Sequence, residues 1–202
     1  MNDFSSYVAV TAACWGFTLT DGALRMLVLL HFHTLGFSPL DLAFLFLLYE
    51  AMGVFTNLFG GWIGAKFGLK INLFAGLITQ IIALLMLSAV QPTWVVLYSV
   101  IYVMLAQALS GIAKDLTKMS SKSVVKVVID EEKQDELFKW VALLTGSKNA
   151  LKGLGFLFGG ILLQFLGFST SLWSMAAMLT LILFITLTTV KADLGKAKQN
   201  IC

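Results

Sequence analysis

Charged side chains are scarce in this sequence. Asp, Glu, Lys and Arg together make up 12% of its 202 residues, whereas 58% of the residues are apolar. A soluble domain carries roughly a quarter charged residues, because its surface has to be solvated. The composition therefore excludes an ordinary soluble domain and indicates a protein whose surface faces the hydrocarbon core of a lipid bilayer.

The residue types that build catalytic and metal sites are also few. The two cysteines, Cys14 and Cys202, cannot form a disulfide framework, and the sequence has only two histidines. His31 and His33 are two positions apart, so on a helix they point to different faces and do not share a metal. The sequence contains no nucleotide-binding loop and no basic stripe interleaved with aromatic residues. We therefore expect no enzymatic activity, no cofactor, no metal and no nucleic-acid partner.

Long apolar runs are what the sequence does contain. A helix needs about 20 apolar residues to cross a hydrocarbon core about 30 Å thick. Six runs have this length, near 7–33, 40–63, 71–90, 94–114, 137–166 and 170–190. The sequence therefore predicts an all-α membrane protein in which residues 1–190 form six transmembrane helices. Residues 191–202 are predicted to be the start of a truncated cytoplasmic linker.

The basic residues lie in alternate connections between these runs. Eleven of the 14 Lys and Arg residues lie in or beside the second, fourth and last breaks. They are Lys66, Lys70, Lys114, Lys118, Lys122, Lys126, Lys133, Lys139, Lys191, Lys196 and Lys198. The connections at 36–39, 91–93 and 167–169 contain none. Because Lys and Arg accumulate on the cytoplasmic side, we predict a multi-pass protein of the inner (plasma) membrane with both termini in the cytoplasm.

Ionisable residues inside the predicted spans are the candidates for function, because a charge at mid-bilayer costs at least about 2.5 kcal/mol. In the first span, Asp21 and Arg25 are four residues apart and lie on one helix face. They form either a self-neutralising ion pair or, in the functional interpretation, an arrangement in which Asp21 holds Arg25 against a substrate anion.

Two lysines are stacked in the fifth span. Lys148 and Lys152 are four residues apart, with Asn149 beside them, and like charges at this spacing repel each other. They need a counter-anion, either an acid on another helix or a bound multivalent anion, although Lys148 could instead extend to the cytoplasmic surface. The candidate acids are Asp21, Glu50 and Asp115. Together with Arg25, the three residues of the fifth span form a candidate site for a small anionic substrate.

Glu50 lies near the centre of the second span. As a lone buried carboxylate it either carries a coupling proton or pairs with Arg25 or a lysine on another helix. Asp21 and Asp115 are open to the same two interpretations, coupling or charge pairing.

Glycines spaced four residues apart occur in two places, at Gly60, Gly64 and Gly68 and at Gly155 and Gly159. This spacing lets neighbouring transmembrane helices approach closely. It is common in membrane proteins and indicates helix packing rather than a particular function.

The connection after the second span resembles a loop motif of the major facilitator superfamily, Gly-x-x-x-Asp-Arg/Lys-x-Gly-x-Arg/Lys-Arg/Lys. Gly61, Lys66, Gly68 and Lys70 match this motif, whereas Ala65 stands where the motif has Asp. The contact that this Asp normally makes with a neighbouring helix is therefore not expected. The resemblance implies the amino-terminal six-helix half of the superfamily fold, whose substrate lies between two halves.

Four further stretches are similar to the organoarsenical efflux permeases. They are WGFTLTDGALRM (15–26), LHFH (30–33), ALSGIAKDLTKM (108–119) and LTGSKNALKG (144–153). The resemblance implies export of 1-arseno-3-phosphoglycerate, the labile ester formed when glyceraldehyde-3-phosphate dehydrogenase uses arsenate in place of phosphate, and hence arsenate resistance. Several cations would bind this polyanion, and the three acids would hold those cations or carry coupling protons.

The same resemblance implies a partner. Because a superfamily transporter has two six-helix halves, we expect this chain to need a carboxy-terminal half or a second copy, and residues 1–202 alone not to transport. Two alternatives remain: a transporter half for another phosphorylated or carboxylated organic anion, and a membrane module that binds a partner without transporting.

Overall fold

The computed structural model describes residues 3–67, 69–91, 93–128 and 134–189, and it describes side chains for 8–59, 70–91, 93–121, 142 and 145–189. Within these ranges the chain forms six long helices and no strand. The helices are α1 (Asp3–Thr34), α2 (Pro39–Phe67), α3 (Leu69–Ser88), α4 (Val96–Val128), α5 (Gln134–Leu166) and α6 (Phe168–Thr189). Each contains an apolar segment long enough to cross a membrane, which confirms the predicted all-α fold with six transmembrane helices.

Local sequence signals determine how α1 ends and α2 begins. Helix α1 ends at Thr34, and Gly36 then adopts a φ of 91°, a left-handed conformation that a residue with a Cβ rarely adopts. Ser38 caps α2, because its hydroxyl oxygen accepts from the Asp41 backbone N–H at 3.3 Å while its own backbone N–H donates to Asp41 Oδ2 at 3.0 Å. Pro39 begins α2, where a missing backbone N–H costs nothing. The chain therefore reverses direction within a few residues.

Helix α4 is longer than the predicted fourth span. It continues to Val128, through most of the segment 115–136 that the sequence assigned to a connection. Its side chains remain buried well past Lys114, so packing against neighbouring helices continues where the charge pattern had indicated an exit from the membrane. The apolar segment of α4 is Val96–Ser121, and Lys114 and Lys118 therefore lie inside it.

The six helices form two intertwined groups of three. Helix α1 packs most extensively against α5, and α2 packs against α4 in the corresponding way. Helix α3 contacts α4 as α6 contacts α1, and α3 and α6 contact each other. Exchanging α1–α3 with α4–α6 leaves this pattern unchanged, as expected for two inverted three-helix repeats. We call the end of the bundle with the α2–α3 and α4–α5 connections the base, and the opposite end the top.

Helix α1 lies at the centre of the bundle. Its side chains Leu24, Leu27 and Val28 are fully buried, whereas α2 and α5 expose large apolar side chains such as Phe55 and Phe158 on their outer faces. Polar side chains of α1 that point inwards must therefore form their hydrogen bonds and ion pairs with residues of α2, α4 and α5.

Glycines permit the closest helix contacts. A Cβ on Gly155 would lie 2.5 Å from the Leu19 carbonyl oxygen and 3.1 Å from the Gly22 Cα of α1, and a Cβ on Gly159 would meet the backbone of Ala23. The close approach predicted from the Gly155/Gly159 spacing is therefore observed, between α5 and α1. The other glycine series, at 60, 64 and 68, lies outside the residues whose placement is described in full.

The variant Gly155→Ala tests the contact between α1 and α5. The added methyl group meets backbone atoms, which cannot move aside, and we expect a loss of about 1–3 kcal/mol in the free energy of unfolding. The measurement is the thermal unfolding midpoint of the purified protein in detergent.

Gly153→Ala is the matched control, because it lies on the same helix with nothing within 4 Å of its added Cβ. Both variants gain the same helix propensity, so this contribution cancels in the comparison. Equal unfolding midpoints for the two variants would contradict the packing described here.

Candidate functional site

A network of ion pairs connects the middle of α1, α2 and α4. Arg25 of α1 donates from a terminal guanidinium nitrogen to Glu50 Oε1 on α2 at 2.8 Å. The Lys114 ammonium group of α4 donates to the other oxygen of the same carboxylate at 3.1 Å. Glu50 thus bridges two cations, although 60% of its side chain remains exposed. Of the two interpretations of Glu50, the structure shows the pairing with Arg25 and a lysine on another helix, and the carboxyl group lies at the bundle surface instead of being buried.

A buried tyrosine supports this network. Tyr49 is fully buried, and its hydroxyl donates to Asp21 Oδ1 at 2.7 Å. Its ring also contacts both cations: the Arg25 guanidinium carbon and the Lys114 ammonium nitrogen lie 4.0 and 4.3 Å from the ring centroid. The predicted pair of Asp21 and Arg25 on α1 is looser, at 4.0 Å. Arg25 therefore depends mainly on α2 for its neutralisation.

A cavity of about 290 Å³ lies beside the network, between α1, α4 and α5. Four lysines line it: Lys114 and Lys118 from α4, and Lys148 and Lys152 from α5. Asn149 and Asp21 also line the cavity, and most of the remaining lining consists of threonines. Such a concentration of ammonium and hydrogen-bonding groups inside membrane-spanning helices is suited to holding an anion.

The four lysines differ in their partners. Lys114 is paired with Glu50, and Lys118 lies 3.5 Å from Asp115 Oδ1, whose side chain is 2% exposed. Lys148 donates to the Ser121 hydroxyl at 2.6 Å rather than extending freely to the membrane surface. Among the described residues, no carboxylate lies within 4.0 Å of Lys148 or Lys152. Of the four lysines that line the cavity, Lys148 and Lys152 are thus the two without an acidic partner among the described residues.

The charges around the cavity do not balance. Arg25 and the four lysines contribute five positive charges, and three carboxylates lie among them. The carboxylates belong to Asp21, Glu50 and Asp115. Counted over the described residues, the site therefore has a formal excess of two positive charges. An uncompensated charge inside a membrane protein is costly, and a bound anion with at least two negative charges would remove that cost.

The structure brings most of the predicted site residues together. Lys148, Asn149 and Lys152 line one cavity with Asp21, while Arg25 and Glu50 form the adjoining network. Asp115 holds Lys118. Sequence reasoning missed Lys114 and Lys118, because their positive charge was attributed to membrane topology. Their spacing of four residues, the same as that of Lys148 and Lys152, was the available signal.

The loop motif lies apart from this cavity, at the α2–α3 connection. Helix α2 continues to Phe67, so Gly61 and Lys66 belong to its last turns rather than to a loop. Their side-chain surroundings and the whole of Gly68 lie outside the described residues. Lys70, in the first turn of α3, places its ammonium group 5.3 Å from the centroid of the Phe74 ring.

The fold and the site define a polytopic helical membrane protein with an anion-suited cavity between its helices. Residues 7–200 match the sequence profile of the Major Facilitator Superfamily, and the chain belongs to this superfamily. It is accordingly a multi-pass membrane transporter that handles a small substrate within a lipid bilayer, in a family that is generally non-enzymatic. A search of curated proteins found no significant match to the sequence.

Tyr49→Phe tests whether the buried hydroxyl stabilises the network. Its loss leaves the buried Asp21 carboxylate without its closest donor, at 2.7 Å, and we expect the free energy of unfolding to fall by about 1–3 kcal/mol. Tyr98→Phe is the control, because the Tyr98 side chain on α4 is largely exposed. The readout is thermal unfolding in detergent, and an equally small effect of both substitutions would show that the hydroxyl is dispensable.

Proposed function

We propose that this chain is one half of a transporter for a small, multiply charged organic anion, with the cavity between α1, α4 and α5 as its binding site. The observation that carries the proposal is the pair Lys148 and Lys152, which line one cavity in a membrane-spanning helix and have no carboxylate within 4.0 Å in the part of the chain that the structure describes. Asn149 adds a hydrogen-bonding amide to the same lining. In this proposal, the ligand itself supplies the missing negative charge.

The substrate we favour is 1-arseno-3-phosphoglycerate, so that export of this ester would confer arsenate resistance. Three of the four stretches that resemble organoarsenical efflux permeases supply lining residues to the cavity: 15–26, 108–119 and 144–153. They come from three different helices, so their convergence on one cavity supports a common role in binding. Another phosphorylated or carboxylated organic anion is the alternative substrate, since ammonium groups accept either.

In this proposal the acids of the site pair with its cations while no ligand is bound. Glu50 holds Arg25 and Lys114, Asp115 holds Lys118, and Asp21 is held by Tyr49. The same carboxylates are the candidates for carrying coupling protons. When one of these carboxylates is protonated, the cation that it held is available to the ligand.

A second six-helix half is part of the proposal. Glu50 lies within the apolar segment of α2, yet its side chain is 60% exposed, and a carboxylate exposed to lipid would be costly. A carboxy-terminal half or a second copy of the chain would cover it. We place the assembly in the inner (plasma) membrane with both termini cytoplasmic, as the distribution of Lys and Arg indicates.

Lys152→Gln tests the anion site directly. Removing one charged donor from the cavity should weaken binding of 3-phosphoglycerate, a stable analogue of the labile ester, by about tenfold or more. Binding is measured by tryptophan fluorescence of the protein in lipid nanodiscs, since Trp15 donates to the Ser147 hydroxyl at 3.1 Å, next to Lys148. The affinity for the arsenylated ester is measured in the same way, with arsenate alone as the reference. The ester is generated in the assay from arsenate, glyceraldehyde 3-phosphate, NAD and the dehydrogenase.

Two variants serve as controls for this experiment. Lys152→Arg retains the charge and should retain most of the binding, whereas Lys198→Gln removes one lysine from the final segment of the sequence. Unchanged affinity in Lys152→Gln would exclude the proposed anion site and favour a membrane module that does not transport. Binding of 3-phosphoglycerate without preference for the arsenylated ester would favour the alternative substrate.

Glu50→Gln should strengthen anion binding. Neutralising the carboxylate releases Arg25 and Lys114 from a competing partner, and an ion pair of this kind contributes roughly 1 kcal/mol. We therefore expect affinity for 3-phosphoglycerate to rise about threefold to tenfold. Asp41→Asn is the control, because it removes one acid from the same helix. Asp41 accepts hydrogen bonds from Ser38 and holds no cation among the described residues. A loss of affinity in Glu50→Gln would show that Glu50 positions the cations for the ligand instead of competing for them.

A further inference from the structure

A groove of about 610 Å³ lies between α2 and α4 at the top of the bundle, apart from the cavity with the lysines. Lower down, the same two helices are in close contact, because a Cβ on Gly111 of α4 would meet the backbone of Tyr49 of α2. Residues 35–37, which connect α1 to α2, also line the groove. We call this space the upper groove.

One wall of the upper groove is an apolar stripe of α4. Val96, Val100 and Met104 are spaced four residues apart, so they lie along one helix face over a length of about 12 Å. Phe44 of α2 lines the same groove, and all four side chains belong to apolar segments long enough to span a membrane. Lipid tails are as apolar as such side chains, so the stripe is suited to contact with an acyl chain.

Asp41 is the one charged residue among the described residues that line the upper groove. It lies in the first turn of α2, where it is exposed. Both hydrogen bonds that it accepts from Ser38 end on Oδ2. In the described part of the chain, no Lys, Arg or His side chain lies within 4.0 Å of its carboxylate. The carboxylate is therefore accessible to a cationic group of a ligand.

A second cavity, of about 410 Å³, adjoins the upper groove and shares Leu35, Phe37 and Val96 with it. Its lining includes the neutral hydrogen-bonding side chains Gln91, Trp94 and Ser99, and its described lining residues include no Lys or Arg. Neutral donors of this kind suit a phosphodiester group whose charge is balanced within the same molecule. A headgroup with a net negative charge would instead be repelled by the nearby carboxylate.

The upper groove lies on the lipid-facing side of α2. Asp41 and Glu50 are nine residues apart, which is about two and a half helical turns, so they lie on opposite sides of the helix. The second half proposed above covers Glu50. The groove on the other side is therefore left to the bilayer, and Phe44 and Val96 on its walls are 51% and 63% exposed.

We propose that the upper groove binds a phospholipid whose headgroup carries a protonated primary amine. The ammonium group donates to Asp41, and one acyl chain lies along Val96, Val100 and Met104. Such a lipid connects the first turn of α2 to α4 where the groove separates them. The proposal is independent of the anion site, because none of the residues that line the upper groove lines the cavity with the lysines.

Two lipids with the same acyl chains test the proposal, dioleoyl phosphatidylethanolamine and dioleoyl phosphatidylcholine. The first has a primary ammonium group, whereas the second has a fully methylated one that cannot donate a hydrogen bond. Their affinities for the full chain are measured by native mass spectrometry in detergent. We expect the ethanolamine lipid to bind about threefold to tenfold more tightly, as a charge-assisted hydrogen bond at an exposed carboxylate implies.

Variants of Asp41 separate the role of its charge from its role in the cap. Asp41→Asn keeps an oxygen that accepts from Ser38 but removes the charge, and it should abolish the preference for the ethanolamine lipid. Asp41→Glu keeps the charge and should keep most of the preference. Equal affinities of the two lipids for the unmodified protein, or an unchanged preference in Asp41→Asn, would contradict the proposal.

A second pair of variants tests where the acyl chain lies. Val100→Trp fills the upper groove and should weaken binding of both lipids, whereas Leu97→Trp adds the same side chain at a position of α4 that is 65% exposed and outside the groove. Equal binding by the two variants would place the lipid elsewhere and overturn the proposal. So would a dimer mass without bound lipid, since a second copy would then occupy the groove. Should Val100→Trp not fold, Met104→Phe gives the same comparison.

Discussion

Neutralisation of charge within the membrane is the constraint on which the arrangement of this bundle depends. Arg25 and Lys114 come from different helices and meet on the carboxylate of Glu50, which belongs to a third. Tyr49 lies against both cations and satisfies Asp21 through its hydroxyl. These contacts require α1, α2 and α4 to lie close together. Gly111 allows this, because a Cβ there would meet the backbone of Tyr49.

Helix α5 carries the two lysines to which the proposed anion binding is assigned. Its apolar segment, Thr145–Leu166, contains two lysines and no acid. Its contacts with α1 are made through Gly155 and Gly159, which leave no space for additional side chains. Lys148 and Lys152 of this segment line the cavity, and no described carboxylate lies within 4.0 Å of either. In the proposed function, the ligand supplies to these lysines the negative charge that carboxylates supply to the other cations of the network.

The network and the cavity share Asp21 and Lys114, and Lys114 pairs with Glu50 while it also lines the cavity. Ligand binding in the proposed site would thus compete with a contact that holds α4 against α2. Since Glu50 lies on the exposed side of α2, a second half packed there would also be affected when the ligand competes with Glu50 for Lys114. This link between binding and helix contact is the kind of coupling that transport by alternating access requires.

The sequence by itself determined the fold class, the six spans and the grouping of Lys148, Asn149 and Lys152. These properties depend on hydrophobic length and on the spacing of residues along one helix, both of which are local. Tertiary structure alone decided that Arg25 pairs with Glu50, that Glu50 is exposed, and that Lys114 and Lys118 belong to the cavity. The reason is that partners on different helices depend on which helix faces meet, and no local pattern encodes that orientation.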